Sequence, residues 1–406
     1  MGKKMRIVQF TDTYLPTMDG VISVVKNYCE SINEKQDCEL VACSASKKSK
    51  YVDEKKFKIL RIKSMRAPEG YRYGLPFMDR KLKKYLKQED FDVFHAHTPF
   101  SLGKIATRYA NKRNIPIVAT LHTQYHQDFE RVLGKWNKPL IKFMIWYIMR
   151  VYNRADSVWT VSNTSKKFLR QYGYKGEIQV VRNATDYTYP ENDKELIEKI
   201  NQLHNLEGQK NVFLFVGRMA FYKNLKLLCS SLKILKEKGE DFKMLFVGGG
   251  FDLDRIIKFA EELGIADKCI FTGGVKDRQL LQGYYLRADL LLFPSVFDMA
   301  SIVQMEASAH KTPALVIENS CAQEQIIHGE NGFVSKESDV DYAEKLIEAV
   351  ADPVRLKQVG ENAYNTLYRT WNDVAEEVIA KYQEIIEKKK IEKTKIEKIK
   401  KEKKKG

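Results

Sequence analysis

Two blocks of the chain carry the same alternation of apolar and amphipathic stretches. In the first, RIVQF (6–10), CELVAC (38–43), KILRI (58–62), DVFHAH (92–97), PIVATLH (116–122), SVWTVS (157–162) and IQVVRN (178–183) are short, apolar and rich in Val and Ile. Helix-like stretches at 21–35, 101–113 and 139–154 separate them. Strands that are nearly continuously apolar and interleaved with helices predict a parallel sheet covered on both faces. A polar run after Asp186, TYPENDKELIEKINQLHNLEGQKN, has no strand signal and reads as linker plus surface helix. The alternation then restarts with VFLFVG (212–217), KMLFVG (243–248), CIFTGG (269–274), LLLFPS (290–295) and PALVI (313–317). Two such units predict an α/β protein of two Rossmann-like, doubly wound domains. The boundaries expected are 1–186, 187–365, a C-terminal helix over 366–387 returning to the first domain, and a Lys-rich tail over 388–406.

Composition narrows the class. A chain of 406 residues is too long for one ordinary core. Its 44% hydrophobic and 11% aromatic content is that of a folded protein. The longest apolar run, 143–149, is far short of the ~20 residues of a membrane span, and the N-terminus enters a strand without a signal-peptide pattern. Six cysteines are scattered without a CxxC pair, as expected of reduced thiols in a cytoplasmic protein. The formal charge is +16, and the tail, with 11 Lys and 3 Glu, supplies half of it. A basic balance admits nucleic acid, an anionic membrane or a phosphorylated substrate. The tail itself reads as a solvated extension of the last helix or as a membrane arm.

In an open parallel sheet the ligand lies at the C-terminal ends of the strands, and the notable polar residues follow strands directly. Gly217-Arg218 and then Lys223 follow the first strand of the second block; two cations at one strand end suit a diphosphate. FPSVFDMASIVQMEASAHKTPALV (293–316) reads as strand end, polar loop, helix start and next strand. Its two carboxylates, Asp298 and Glu306, have seven residues between them, and Met299, Ala300, Ser301 and Ile302 open the helix. Small residues there let backbone N–H groups approach an anion, while the carboxylates can accept from sugar hydroxyls. Together they describe a site for a nucleotide sugar. A glycosidase pair is disfavoured, since retaining hydrolases need carboxyls ~5 Å apart and helical spacing would hold these much farther. Asp19-Gly20 opens a helix after the first strand. Gly248-Gly249-Gly250 lacks the dinucleotide spacing and reads as a turn. His95, His97, His122 and His126 invite a zinc reading, but no Cys or carboxylate cluster completes a site, so no metal and no cofactor is expected.

These motifs resemble the retaining GT-B glycosyltransferases of family 4, whose signatures G-R-x4-K and E-x7-E match Gly217-Arg218…Lys223 and Asp298…Glu306. Asp298 departs from the pattern, standing where Glu is usual. The resemblance implies two Rossmann-like domains facing a central cleft. Arg218 and Lys223 would hold the donor diphosphate, Glu306 the ribose, and Asp298 with the following amides the donor sugar. Gly20 would let the backbone approach the diphosphate, and Val275, in GGVK (273–276), would lie by the base. His122 matches the histidine at the donor sugar, His97 would orient a neighbouring loop, and His126 would face the acceptor. Glu324 matches a family acid, though Ser320-Cys321 replace the usual glycines. Arg218, Lys223 and helix N-termini would stabilise the departing diphosphate, so no metal is required.

TDTYLPTMDGV, HAHTPFSLGK and TLHTQYH most resemble bacterial diacylglycerol glucosyltransferases. The expected partners are a nucleotide-diphosphate sugar, a lipid or sugar-chain acceptor and an anionic membrane surface at the inner face of the cell membrane. Segment 64–87, with Arg66, Arg72 and Tyr73, mixes cations and aromatics in a way that suits such a surface or an ordinary amphipathic helix and loop. Capsule or other surface-glycan synthesis is the alternative acceptor reading. No nucleic-acid-binding signature accounts for the strand-end residues.

Overall fold

Seven parallel strands of the first half pair in the order β3-β2-β1-β6-β7-β8-β9: β1 (Arg6–Thr11), β2 (Asp37–Cys43), β3 (Lys58–Ile62), β6 (Val93–Ala96), β7 (Ile117–Leu121), β8 (Ser157–Thr160) and β9 (Gln179–Val180). The hairpin β4 (Ser64–Arg66) and β5 (Arg72–Gly74) stands apart from this sheet. The computed structural model describes residues 3–17, 20–43, 52–53, 56–66, 72–134 and 136–402, with side chains through Glu397. Asp19, residues 67–71 of the basic segment and residues 403–406 of the tail lie outside the described residues. The helices of this half are α1 (Gly20–Lys35), α2 (Arg80–Gln88), α3 (Ser101–Arg113), α4 (Tyr125–Leu133), α5 (Lys138–Tyr152) and α6 (Asn163–Gln171).

The second sheet orders six parallel strands as β12-β11-β10-β13-β14-β15: β10 (Val212–Val216), β11 (Lys243–Val247), β12 (Cys269–Gly273), β13 (Leu290–Phe293), β14 (Ala314–Ile317) and β15 (Phe333–Ser335). Its helices are α7 (Asp193–His204), α8 (Leu225–Glu237), α9 (Leu253–Glu262), α10 (Arg278–Arg287), α11 (Ile302–Ala309), α12 (Asp339–Val350) and α13 (Pro353–Leu367). Alternate residues of β10 feed two cores. Phe213 and Phe215 pack with Leu228, Leu232 and Leu346, whereas Val212 and Leu214 pack with Ile200, Tyr284 and Tyr285. That division is the period-two alternation of a strand buried on both faces, at about 1.5–3 kcal/mol for each large side chain buried.

The chain divides into two units, residues 1–183 with 371–406, and residues 184–370. The long helix α14 (Trp371–Glu402) belongs to the first unit, where it packs on α1. Buried Trp371 meets Tyr28 edge-on, with ring centroids 5.6 Å apart, and Tyr382 is wholly buried. The helix runs on through the first turns of the Lys-rich tail. Lys389 Nζ lies 2.5 Å from Asp156 Oδ2 and donates to the Ile115 carbonyl, 3.1 Å away.

Two features depart from the sequence reading. Segment 64–87 is not simply helix and loop, since it begins with the β4–β5 hairpin. Three-residue strands are too short to show alternation. β15 carried no signal for the same reason.

Candidate functional site

Each sheet reverses its strand order at one place, between β10 and β13 in the second unit and between β1 and β6 in the first. The crevice beyond the strand ends at such a point is where doubly wound sheets bind ligands.

In the second unit, Gly217, Arg218 and the 3-10 turn Phe221–Lys223 follow β10, and Asp298 follows β13. Asp298 Oδ1 accepts an ion-paired hydrogen bond from Lys223 Nζ, so one side-chain contact spans the reversal point. The pair is mostly buried, with side-chain exposures of 17% and 21%. The other oxygen, Asp298 Oδ2, is buried without a protein partner. Arg218 is exposed. Met299 is buried, Ala300, Ser301 and Ile302 are half-buried, and α11 starts at Ile302 with no side-chain cap from Ser301. Burial pushes the Cys321 thiol up, with the charges of Asp298 and Glu324 adding to the shift. Glu324 sits in the 3-10 turn Ala322–Gln325.

The loop after β10 is held by backbone hydrogen bonds and by the Asp252 carboxylate, which accepts from Phe221 N–H at 3.1 Å. Met219 N–H donates to the Gly249 carbonyl at 3.0 Å, and Gly217 N–H to the Val247 carbonyl at 3.0 Å. A Cβ on Gly248 would stand 1.9 Å from Gly217 O, and one on Gly250 2.3 Å from Met219 O. Gly248 and Gly250 thus let the loop before Lys223 lie directly against β11's exit, the close approach for which only glycine has room.

Glu306 lies on α11 in an aromatic setting. Tyr285 Oη donates to its Oε2 at 2.6 Å. The His310 ring stacks on Tyr285 at 5.3 Å between centroids, with Tyr187 at 5.4 Å. Arg278 pairs with Asp186 at 2.8 Å and lies 4.5 Å above the Tyr187 ring. Burial pushes the Glu306 carboxyl up to about 7, against the Tyr285 hydrogen bond. Val275 is half-buried against the same core. Tyr285, Tyr187, His310 and Arg278 were not singled out from the sequence. Tyr285 lies in a helix and His310 at the end of one, where an aromatic reads as core.

A pH dependence follows. A carboxyl with a folded-state pKa above its ordinary 4.5 stabilises the fold while protonated; that contribution is complete below 4.5 and is lost as pH rises through about 7. Glu306→Gln keeps an acceptor for Tyr285. It should raise the melting temperature relative to the parent at pH 8 and leave little difference at pH 5. A pH-independent difference in calorimetric melts would reject this.

In the first unit a run of hydrogen bonds links buried polar groups. His97 Nε2 lies 2.7 Å from Gln9 Oε1, and His97 Nδ1 lies 2.9 Å from His122 Nε2. Gln9 Nε2 donates to Tyr382 Oη at 3.3 Å; His95 Nδ1 lies 2.5 Å from the same hydroxyl, and His95 Nε2 2.7 Å from Thr120 Oγ1. With Gln9 donating to Tyr382, its carbonyl oxygen accepts from His97 Nε2–H. His97 Nδ1 is then bare and accepts from His122 Nε2–H, so His122 keeps its Nδ1 lone pair. Burial holds all three imidazoles neutral, with His95 and His97 pushed well below the ordinary range and His122 to about 3. The hydrogen-bond partner of His97 on this side is thus the His122 ring. Gln9 was missed because it sits inside an otherwise apolar strand run.

The remaining candidates are dispersed. Gly20 starts α1 with open space around a notional Cβ. His126 is exposed at the start of α4, 3.7 Å from Glu130. Arg66 is exposed. Arg72 is committed to its own hairpin, donating to Ser64 Oγ at 3.0 Å and Ser64 O at 3.1 Å. Tyr73 Oη lies 3.2 Å from Tyr147 Oη.

A family model described as Glycosyl transferases group 1 matches residues 191–366, and one described as Glycosyltransferase Family 4 matches residues 18–189. The alpha-monoglucosyldiacylglycerol synthase of Acholeplasma laidlawii is 26% identical over 405 residues, covering 95% of this chain and 98% of its own length. The alpha-monoglucosyldiacylglycerol synthase of Streptococcus pneumoniae is 26% identical over 319 residues, covering 77% of this chain and 70% of its own. In fold, the chain is similar to Anabaena HepE in complex with UDP and glucose, with a TM-score of 0.72 and 16% identity over 93% of this chain and 99% of that one. With both of its sheets in the doubly wound order and both halves matched by a family model, the chain belongs to the family 4 glycosyltransferases and has the GT-B fold.

Proposed function

We propose that this glycosyltransferase moves a hexose, glucose, from a nucleotide-diphosphate sugar to a membrane lipid such as diacylglycerol, with retention of anomeric configuration and without a metal ion. The observation that carries the donor side is the Lys223–Asp298 pair across the strand reversal, with Arg218 exposed beside Gly217. Cations there suit the diphosphate, and the unpartnered Asp298 Oδ2 suits a sugar hydroxyl. Similarity to two lipid glucosyltransferases and to a UDP-bound fold relative supports the lipid acceptor and the nucleotide. A lipid acceptor would place the protein at a membrane, in this reading at the inner face of the cell membrane. No helix among the described residues is long and apolar enough to cross a membrane, so attachment would be peripheral.

In this reading the acceptor hydroxyl oxygen bonds to the anomeric carbon on the face from which the nucleotide leaves. The bond from that carbon to the diphosphate oxygen breaks, and the acceptor's proton passes to the departing phosphate. Arg218 and Lys223 neutralise the charge that develops on it, which is electrostatic catalysis at a preorganised site. His122, neutral and fixed by His97, offers Nδ1 as an acceptor to a donor-sugar hydroxyl. Glu306 as a carboxylate accepts from the ribose.

The test is transfer from a panel of UDP- and GDP-sugars to diacylglycerol in mixed micelles and to soluble oligosaccharides, with chelator present. UDP-glucose with the lipid should give product in the α configuration. Product only on oligosaccharides would replace the lipid reading with surface-glycan synthesis, and activity abolished by chelator and restored by Mg²⁺ would reject metal independence. Arg218→Ala should weaken nucleoside-diphosphate binding more than about tenfold, since a charge-assisted contact contributes about 1.5–3 kcal/mol. Unchanged calorimetric affinity would reject its role.

A further inference from the structure

An amphipathic surface helix buries one face and solvates the other, but α5 does not follow this rule. Its inner face buries Ile141, Ile145, Ile148 and Met149. Its outer face is also apolar: Leu140, Phe143 and Trp146 are 40%, 56% and 55% exposed, and Trp136, just before the helix, is 97% exposed. Phe143 and Trp146 stand 5.6 Å apart between centroids. Their spacing puts them on one side with Arg150, whose guanidinium lies 5.4 Å from the Trp146 ring.

Along this segment the charge has one sign. From Val132 to Arg154 the sequence has five cations and no carboxylate. Lys104, on the adjoining α3, places its ammonium over the ring of Tyr147. Burial pushes the Lys104 ammonium down, and the like charges of Arg150 and Arg154 add to the effect. Three cations crowd here, and an anionic group would relieve their repulsion. Trp rings with one wet edge, backed by Arg and Lys, are the composition of a bilayer interface.

We propose that the outer face of α5 seats on an anionic lipid bilayer, with Trp136, Phe143 and Trp146 entering the interface and Lys104, Arg150 and Arg154 meeting the headgroups. The proposal deepens the lipid-acceptor reading and rests on it for the choice of partner. It moves the main contact away from the Arg72 hairpin and the Lys-rich tail. Surface charge alone would be released by salt; an aromatic contact is not.

The four tryptophans make the test direct. Trp159 and Trp371 are buried, so Trp136 and Trp146 are the two that can respond to lipid. The full-length protein is mixed with phosphatidylglycerol or phosphatidylcholine vesicles carrying brominated acyl chains, at low and high salt. Expected are quenching and a blue shift with phosphatidylglycerol that persist in part at high salt. The triple variant Trp136→Ser, Phe143→Ser, Trp146→Ser should lower the vesicle partition constant at least tenfold by cosedimentation, and Arg150→Gln with Arg154→Gln should abolish the preference for anionic lipid. All these positions are exposed, so melting temperature and protection by UDP serve as controls and should not change. No quenching in the parent, or a triple variant that binds as the parent does while truncation at Lys388 abolishes binding, would overturn the proposal. Vesicle binding with no transfer to any lipid would uphold this face and reject the acceptor reading instead.

Discussion

Asp298→Asn should lower glycosyl transfer by at least about 10²-fold while leaving nucleoside-diphosphate affinity unchanged or slightly tighter. The reasoning starts from the ion pair. The Lys223 ammonium is neutralised by Asp298 Oδ1. A bound diphosphate has to draw Lys223 away from that carboxylate. The freed carboxylate, with an oxygen already buried and unpartnered, then turns to hydroxyl donors. Neutralising Asp298 removes the competitor for Lys223, so diphosphate binding is preserved, and it removes the charged acceptor for the sugar, so transfer is lost. Lys223→Ala should give the opposite pattern, with diphosphate affinity reduced more than about tenfold. Asp298→Glu should retain measurable transfer, since it keeps the acceptor and adds one methylene. Calorimetry with UDP beside initial-rate kinetics separates the three variants. If Asp298→Asn and Lys223→Ala both lose only melting temperature, with nucleotide affinity intact, the pair is structural and the assignment fails.

The legible parts of the fold were those in which each strand repeats a simple instruction. β1 and β2 are mostly apolar and β10 and β11 are runs of Val, Leu, Phe and Met, buried on both faces, and the sheet order follows from right-handed connections between parallel strands. The residues beyond β10 and β13 stood out because polar side chains follow apolar strands there. What could not be read is what depends on pairing across long separations. Gln9 and Tyr382 are 373 positions apart and meet only because α14 belongs to the first unit. Tyr285 and His310 are buried, and the sequence does not show that they gather with Tyr187 beside Glu306, whose burial raises its proton affinity. The glycines at 248–250 were legible as a turn, but not as the support on which the Arg218 loop rests, because a sequence does not show which backbone approaches which. The outer face of α5 was hidden for a related reason. An apolar helix reads as buried until the neighbours that fail to cover it are known.

Acid should unfold the first unit well before ordinary carboxylate titration is complete. His95, His97 and His122 are buried, hydrogen-bonded in the neutral form and packed ring to ring, at 4.1 Å and 5.1 Å between centroids. Burial lowers each pKa, in His122 to about 3. The native state therefore excludes protons that the unfolded chain binds near the ordinary value of 6.5. A depressed folded-state pKa contributes stability that is present above 6.5 and is lost as pH falls toward the folded-state value. Each such histidine can remove up to about 1.4 kcal/mol per pH unit below its unfolded pKa, so three approach about 4 kcal/mol per unit. Against a typical net stability of about 5–15 kcal/mol, the roughly 8 kcal/mol lost over two pH units unfolds a unit in the lower part of that range. The reporter is already in place, because all four tryptophans, at 136, 146, 159 and 371, lie in the first unit, and Trp159 stacks on Tyr382 at 5.5 Å beside His95. Tryptophan emission should shift to the red between about pH 5.5 and 4.5 at 25 °C, and the melting midpoint read by emission should fall steadily from pH 7 to 5. A midpoint flat across that range would mean that the imidazoles find room to accept protons in the native state. The neutral hydrogen-bonded run from Gln9 to His122, and with it the fixed orientation of His122, would then have to be abandoned.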